Sequence, residues 1–197
     1  MPNISITDFT DFIMRTGQPR ITKVSEIINR GDYHPAHDFW KPLRDQICEF
    51  HAGVSSGISF GLTGAHATKQ TRYEEAIQGY KKFLKTTKPV WFKPHKAEWE
   101  SGDLIIRINP EVGFEIGNES LLVKLYFKQE VLTKSRVQVA LGIMSAAQKN
   151  KKYGVAILDV VRSRLHRQTA KTPQMEALLN GEAATFLAIW NSLIGTK

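Results

Sequence analysis

Residues 112–128, VGFEIGNESLLVKLYFK, contain two short apolar runs separated by the turn-forming pair Gly117–Asn118. This pair predicts a tight β-hairpin turn that joins a strand at Val112–Ile116 to a strand at Leu121–Lys128. In the second strand, apolar residues alternate with a set that includes Lys124. Because successive side chains of a strand point to opposite faces, one face of this strand is expected to point at a core.

Strand and helix patterns continue on both sides of this hairpin. Further strands are predicted at Val90–Glu98 and Asp103–Asn109, and the short connections between successive strands favour an antiparallel meander. Tyr153–Val161 is apolar at nearly every position, which is typical of a strand covered on both faces, so we expect it at the centre of the sheet. Apolar residues at helical spacing predict further helices over residues 71–88, 133–149 and 172–193.

The first third of the chain is predicted to be helical. Short helices are expected at Thr7–Met14, Ser25–Arg30 and Asp38–Ala52, followed by a glycine- and serine-rich loop. The sequence therefore predicts an α+β protein with a mostly antiparallel sheet of about four to six strands flanked by helices. We expect an N-terminal helical arm and loop at 1–66 and an α+β core at 67–197, which together form one compact domain.

The positive charge of this protein is concentrated in one region. Residues 131–171 carry nine of its 27 Lys and Arg but only one of its 19 Asp and Glu, so the rest of the chain has 18 of each sign and is neutral. Charge concentrated in this way attracts an anionic partner. The candidate polyanion-binding residues are Lys149, Lys151, Lys152, Arg162, Arg164 and Arg167.

Other features limit the classes of function. The single cysteine forms no intramolecular disulfide, and the sequence has neither a signal peptide nor an apolar run of ~20 residues, so we expect a cytoplasmic protein with no membrane partner. It also lacks the Gly-x-Ser-x-Gly elbow of triad hydrolases and the Lys-Ser/Thr pair of a phosphate-binding loop. Neither chemistry is predicted, and no cofactor is expected.

The order of elements from residue 71 to about 161 resembles the PD-(D/E)XK nuclease superfamily, whose core is a helix, three strands, a helix and a strand. In that family an Asp at a strand start and an acid-x-Lys triplet in the next core strand bind a divalent metal that activates water for phosphodiester hydrolysis. The resemblance implies Asp103 and Lys124 as catalytic residues, with Glu115 as a carboxylate from the neighbouring strand. Leu122 stands where the family has the acid of the triplet, and Mg²⁺ is expected only if the nuclease activity is present.

Two strings, NPEVG at 109–113 and KLYFK at 124–128, resemble uncharacterised bacterial proteins of similar length, which implies a bacterial origin and no activity. Three hypotheses follow. The first is a non-enzymatic bacterial protein that binds nucleic acid or another polyanion through residues 149–167. The second is a degenerate PD-(D/E)XK-like metal-dependent nuclease. The third is a protein–protein interaction module, such as a homodimer, with no nucleic-acid role.

Overall fold

The structure, a computed structural model, describes residues 1–30, 38–54, 67–148, 152–168 and 173–195. The helices in these ranges are α1 (Ile6–Ile13), α2 (Gln18–Ile28), α3 (Lys41–His51), α4 (Ala67–Thr87), α5 (Lys134–Ala146) and α6 (Pro173–Gly195). The strands are β1 (Asn3–Ser5), β2 (Val90–Phe92), β3 (Ala97–Ser101), β4 (Leu104–Ile108), β5 (Val112–Ile116), β6 (Glu119–Tyr126), β7 (Gly154–Asp159) and β8 (Arg164–Arg167). The predicted α+β fold class is confirmed. None of the helices in the described ranges is long and apolar enough to cross a lipid bilayer.

Local side-chain chemistry sets several of these boundaries. Ser5 caps α1 by accepting a hydrogen bond from the backbone N–H of Asp8 at 3.1 Å, and Thr133 caps α5 in the same way through Arg136 at 3.2 Å. Such caps satisfy backbone donors that have no partner within the helix. Gly117, with a φ of 63°, occupies the left-handed conformation that the β5–β6 turn requires.

The strands form two sheets. The five-stranded sheet has the order β2-β5-β6-β7-β8, in which β6 and β7 are parallel and all other neighbours are antiparallel. A parallel pair needs a long crossover, and α5 supplies it between β6 and β7. The three-stranded sheet has the order β1-β4-β3, in which β1 is parallel and β3 antiparallel to β4.

The predicted meander is wrong, because β2 does not pair with β3 and β4 does not pair with β5. The predicted strand Val90–Glu98 is divided into β2 and β3 by a connection that contains Pro94, which has no backbone N–H for a strand ladder. β3 and β4 form a hairpin in the three-stranded sheet, and the chain then returns at β5 to pair with β2. The pairing of β1 with β4, which places Asn3 beside Ile105, joins segments that are distant in sequence.

The prediction that β7 is covered on both faces is confirmed. Val155 and Ile157 belong to a first core that also contains side chains of α1, α5 and α6. Ala156 and Leu158 point the other way, into a second core formed with α3 and α4. β7 has hydrogen-bonded neighbours on both sides, but the middle position of the five-stranded sheet belongs to β6.

The N-terminal segment contains the helices α1, α2 and α3, but it also contains the strand β1, which was not predicted. Helix α1 packs into the first core, and α3 packs into the second. Phe9 and Phe12 of α1 are fully buried, and their ring centroids lie 6.3 and 5.2 Å from that of Phe186 in α6. Helix α2 begins at Gln18, earlier than the predicted Ser25, because a proline is tolerated in the first turn of a helix.

Candidate functional site

An ion pair between Glu111 and Lys124 closes the open end of the β5–β6 hairpin. Val112 pairs with Val123, so the preceding residue, Glu111, lies opposite Lys124. Oε1 of Glu111 accepts a hydrogen bond from Nζ of Lys124 at 2.8 Å, and Oε2 accepts one from the backbone N–H of Leu125 at 2.8 Å. The Lys124 and Glu111 side chains are 21% and 10% exposed. The pair is therefore shielded from water more than a surface ion pair is.

Glu111 is not among the predicted site residues, although the turn of the β5–β6 hairpin could have identified it. The tight turn at Gly117–Asn118 fixes the register of the hairpin, and in that register positions 111 and 124 are partners. The acid that precedes the strand paired with β6 is consequently Glu111 and not Asp103.

Asp103 and Glu115 lie away from Lys124. Asp103 is exposed in the β3–β4 turn, directly after Gly102, and belongs to the three-stranded sheet. Glu115 is exposed and pairs with Ser120, four positions along β6 from Lys124, a separation of roughly 13 Å. Glu115 and Lys124 are therefore not cross-strand partners, and Asp103 belongs to a different sheet from both.

The surroundings of Lys124 do not fit a Mg²⁺ site. Divalent cations of this kind are held through several oxygen ligands, and each carboxylate oxygen of Glu111 already accepts one hydrogen bond from the protein. Leu122, at the position of the missing acid, is fully buried. Within the described ranges, no three His, Cys, Asp or Glu side chains are grouped as a metal site would require.

Two of the predicted polyanion-binding residues are engaged by acidic side chains. Arg162 donates to the carboxylate of Asp159 at 3.2 Å, and Arg167 pairs with Glu119 at 2.5 Å. The Arg167–Glu119 pair is exposed and contributes little to stability, so Arg167 can exchange its partner at small cost. Asp159 is buried, and Arg162 could leave it only at the cost of an unpaired buried charge.

Arg164 and Lys152 are exposed, and neither takes part in an ion pair with the described part of the chain. Arg164 and Arg167 lie on opposite faces of β8, because an odd number of positions separates them. Lys152 precedes the start of β7 and Arg164 pairs near its end, and the strand spans roughly 17 Å. These cations therefore do not form one stripe. Lys149 and Lys151 lie outside the described residues.

A polar cleft of about 920 Å³ lies where the two sheets are connected. His95 lines it from the connection between β2 and β3, and Asn109 lines it from the connection between β4 and β5. Gln148 contributes from beyond the end of α5, and Lys152 and Tyr153 contribute from the approach to β7. Glu111 lies two residues after Asn109, so the cleft is adjacent to the Glu111–Lys124 ion pair.

A thiol from α3 contacts the backbone next to the same ion pair. Sγ of Cys48 donates to the carbonyl oxygen of Glu111 at 3.3 Å. Burial, assisted by the negative charge of Glu111, raises the pKa of Cys48 to about 11. The thiol is therefore protonated at neutral pH and does not supply a thiolate nucleophile.

Comparison with solved structures relates this fold to one from Eubacterium rectale, the crystal structure of a protein named "Putative exonuclease". The TM-score is 0.50 at 12% sequence identity, and the match covers 95% of this chain and 81% of that chain. At this identity the likeness shows the fold alone. No family model matches the sequence, and no curated protein is significantly similar to it.

Proposed function

We propose that the protein binds nucleic acid through its basic region, residues 149–167, and does not cleave it. The observation that carries this proposal is the concentration of its formal charge of +8 in residues 131–171, which include this region. Clustered Lys and Arg favour nucleic acid because each phosphate contact releases condensed counterions. The fold likeness to a protein named as an exonuclease is compatible with a nucleic-acid ligand.

The basic side chains should contribute unequally to nucleic-acid binding, because some of them already pair with a carboxylate of the protein. Lys152 and Arg164 are exposed and have no carboxylate partner in the described ranges, so each is available to a phosphate. Arg167 becomes available when it leaves the exposed Glu119. Arg162 is held by the buried Asp159 and contributes least.

The test is a titration of labelled single-stranded DNA, duplex DNA and RNA, followed by fluorescence anisotropy at several salt concentrations. With two phosphate contacts, affinity should fall roughly tenfold between about 50 and 200 mM salt. Lys152→Glu and Arg164→Glu should each weaken binding to every sequence tested, because phosphate contacts carry no sequence information.

Lys81→Glu is the matched control, since Lys81 is an exposed lysine on α4, outside the basic region. It makes the same change in net charge and should have little effect. Equal losses from Lys81→Glu and Arg164→Glu, or no binding at low salt, would return the protein to the hypothesis of an interaction module without a nucleic-acid role.

The non-catalytic part of the proposal rests on the surroundings of Lys124, where Glu111 already accepts two hydrogen bonds from the protein and Leu122 stands in place of the second carboxylate. Incubation of DNA and RNA with Mg²⁺ or Mn²⁺ should therefore give no cleavage. Metal-dependent cleavage that is lost in Glu111→Gln, while nucleic-acid binding is retained, would establish the nuclease hypothesis in its place.

A further inference from the structure

The polar cleft has the location of a ligand site. Ligand pockets are concave and often lie where structural units meet, with a few polar groups that converge on the ligand. Here residues of the two connections between the sheets line the cleft, and Gln148, Lys152 and Tyr153 line it as well. Neither Glu111 nor Lys124 lines the cleft, so it is separate from their ion pair.

Gln148 supplies a buried hydrogen-bond donor without a partner. Its side chain is 93% buried, with 7% exposed, and its Oε1 accepts from Nε2 of His95 at 2.8 Å. The amide nitrogen Nε2 is buried and has no acceptor in the described ranges. Such a group costs about 1–3 kcal/mol, so it is rare unless an acceptor arrives from outside the chain. A ligand with a carbonyl or ring-nitrogen acceptor would satisfy it once the surrounding side chains move to admit that acceptor to Nε2.

Aromatic rings pack together beside this amide, and Nζ of Lys152 lies 5.5 Å from the centroid of the Tyr153 ring. Tyr153 stacks on Phe92, with centroids 5.4 Å apart, and the His95 ring lies 5.1 Å from that of Tyr153. Phe92 in turn covers Gly113, where an added Cβ would lie 2.6 Å from Cδ2 of the ring. The Phe92 ring is therefore held against the backbone of Gly113, and Tyr153 stacks on it before any ligand binds. A planar, acceptor-bearing ligand such as a nucleobase fits a surface of this kind.

The charges around the cleft suit a ligand with few phosphates. Lys96, Arg107 and Lys152 are exposed cations that line it, and Glu98 and Glu100 line it from β3. The cations can contact a phosphate, and the carboxylates can accept from ribose hydroxyls or base amino groups. The two acids also repel a run of phosphates. One nucleotide therefore matches the cleft better than a duplex backbone does.

We propose that this cleft binds a single unstacked nucleotide, with its base beside Tyr153 and hydrogen-bonded to Gln148 and its phosphate near Lys152 and Arg107. The nucleotide is either a free nucleoside monophosphate or an unpaired nucleotide of a single strand. In the second case the inference rests on the proposed nucleic-acid function and specifies single strands as the ligand. If the ligand is a free nucleoside monophosphate, the inference does not depend on the proposed nucleic-acid function.

The experiment is isothermal titration calorimetry with AMP, GMP, CMP and UMP, with inorganic phosphate as the anion alone, and with a short single-stranded oligonucleotide. At least one nucleotide or the oligonucleotide should bind at least tenfold more tightly than inorganic phosphate. Gln148→Leu and Tyr153→Leu should each weaken that binding roughly tenfold, which corresponds to about 1.4 kcal/mol. Gln138→Leu, which changes an exposed glutamine on α5, is the control and should bind normally.

Thermal melting separates a ligand role of Gln148 from a structural one. Gln148→Leu removes a buried donor that has no partner, and it also removes the acceptor of His95, which is exposed and can bond to water instead. The ligand-free variant should therefore melt close to or above the wild-type temperature. Failure of every nucleotide and of the oligonucleotide to bind would overturn the inference. Binding that neither Gln148→Leu nor Tyr153→Leu changes would also overturn it.

Failure of this inference is distinguishable from failure of the proposed function. If Arg164→Glu weakens oligonucleotide binding and the cleft variants do not, the basic region binds nucleic acid and the cleft inference is wrong. If the cleft variants weaken mononucleotide binding while no nucleic acid binds, the inference holds and the proposed function is wrong. Oligonucleotide binding lost only in the cleft variants identifies a single strand held by the cleft.

Discussion

Gly79 shows how one residue permits the packing of a helix against the five-stranded sheet. A Cβ at this position would lie 2.7 Å from the carbonyl oxygen of Val161 and closer still to that of Val160. Both oxygens are backbone atoms of the turn that follows β7, so they cannot move aside as a flexible side chain would. Helix α4 can therefore lie this close to the turn only because Gly79 has no side chain.

Gly79→Ala should destabilise the protein by roughly 1–3 kcal/mol or more, because the added methyl group overpacks a backbone contact. Urea unfolding monitored by circular dichroism measures the change. Gly181→Ala on α6 is the matched control, since nothing lies within 4 Å of its added Cβ. That control should leave stability unchanged or raise it by about 0.4–1 kcal/mol. Similar destabilisation by both variants would contradict the close approach of α4.

His51 is a residue whose burial should make stability depend on pH. Its Nε2 lies 2.6 Å from the hydroxyl oxygen of the buried Tyr80, and burial lowers the pKa of His51 from 6.5 to about 4. The unfolded chain therefore binds a proton at His51 more readily than the folded chain does. Stability from this group is present above about pH 6.5 and is lost as the pH falls toward 4.

His51→Gln should reduce the loss of stability between about pH 6.5 and 4, because glutamine keeps a polar side chain but does not titrate. His166 acts in the same direction, since burial and then the charge of Arg164 lower its pKa, so the loss should shrink rather than vanish. Urea midpoints at pH 7, 5.5 and 4 measure the effect. An unchanged pH dependence in the variant would show that His51 does not carry it.

At the scale of elements, Asp8 connects α1 to α2. Its carboxylate accepts from Nζ of Lys23 at 2.9 Å and from Arg30 at 2.9 Å, and Lys23 is itself 6% exposed. Burial by itself raises the pKa of Asp8, but hydrogen bonds from Arg30, Lys23 and Ser5 outweigh it and lower the pKa to about 2. Asp8 therefore contributes stability above its ordinary pKa of 3.8, and this is lost as the pH falls through about 2.

Asp8→Asn should cost roughly 3 kcal/mol at neutral pH, because it leaves the buried Lys23 without a charged partner. The variant should also lose less stability between about pH 4 and 2 than the wild type, by about 2 kcal/mol. Asp103→Asn, in an exposed turn, is the control and should behave like the wild type. Parallel pH profiles for Asp8→Asn and the wild type would show that the ion pairs do not stabilise the folded state.

Strand β7 should be among the best protected elements of the molecule. Its residues from Val155 to Asp159 are buried, and it is hydrogen-bonded to β6 on one side and β8 on the other. Hydrogen exchange followed by NMR should therefore give slow amide exchange over Val155–Leu158 and faster exchange in the edge strand β8. Fast exchange throughout Val155–Leu158 would contradict the buried position of the strand.

At the scale of the whole molecule, the first core contains residues of both sheets. Ile4 and Ile106 come from the three-stranded sheet, Val155 and Ile157 come from the five-stranded sheet, and Phe186 of α6 packs with them. Because one core serves both sheets, neither sheet can lose its packing without exposing the other.

Thermal unfolding should consequently be a single cooperative transition, with equal calorimetric and van't Hoff enthalpies. Differential scanning calorimetry measures both quantities. Two resolved transitions would mean that the sheets unfold as separate units, and the predicted single domain would then be wrong.

Local signals in the sequence were sufficient for much of the fold. Turn residues and apolar periodicity give the β5–β6 hairpin, and the apolar run at 153–161 gives a strand covered on both faces. The hairpin register also pairs positions 111 and 124, so the Glu111–Lys124 ion pair could have been predicted by counting outward from Gly117–Asn118. These features depend on residues that are close in the chain, where a few side chains decide the conformation.

The sequence by itself determined the element types, the faces that are buried and the concentration of charge at 131–171. Only the tertiary structure decided that β3 and β4 form a sheet with β1, that Asp103 and Lys124 therefore belong to different sheets, and which basic residues meet a carboxylate. It also assembled the cleft from segments that are distant in sequence. The physical reason is that strand pairing uses backbone hydrogen bonds, which every residue type but proline can make. Alternation of side chains therefore shows which face of a strand is buried, but not which strand lies beside it.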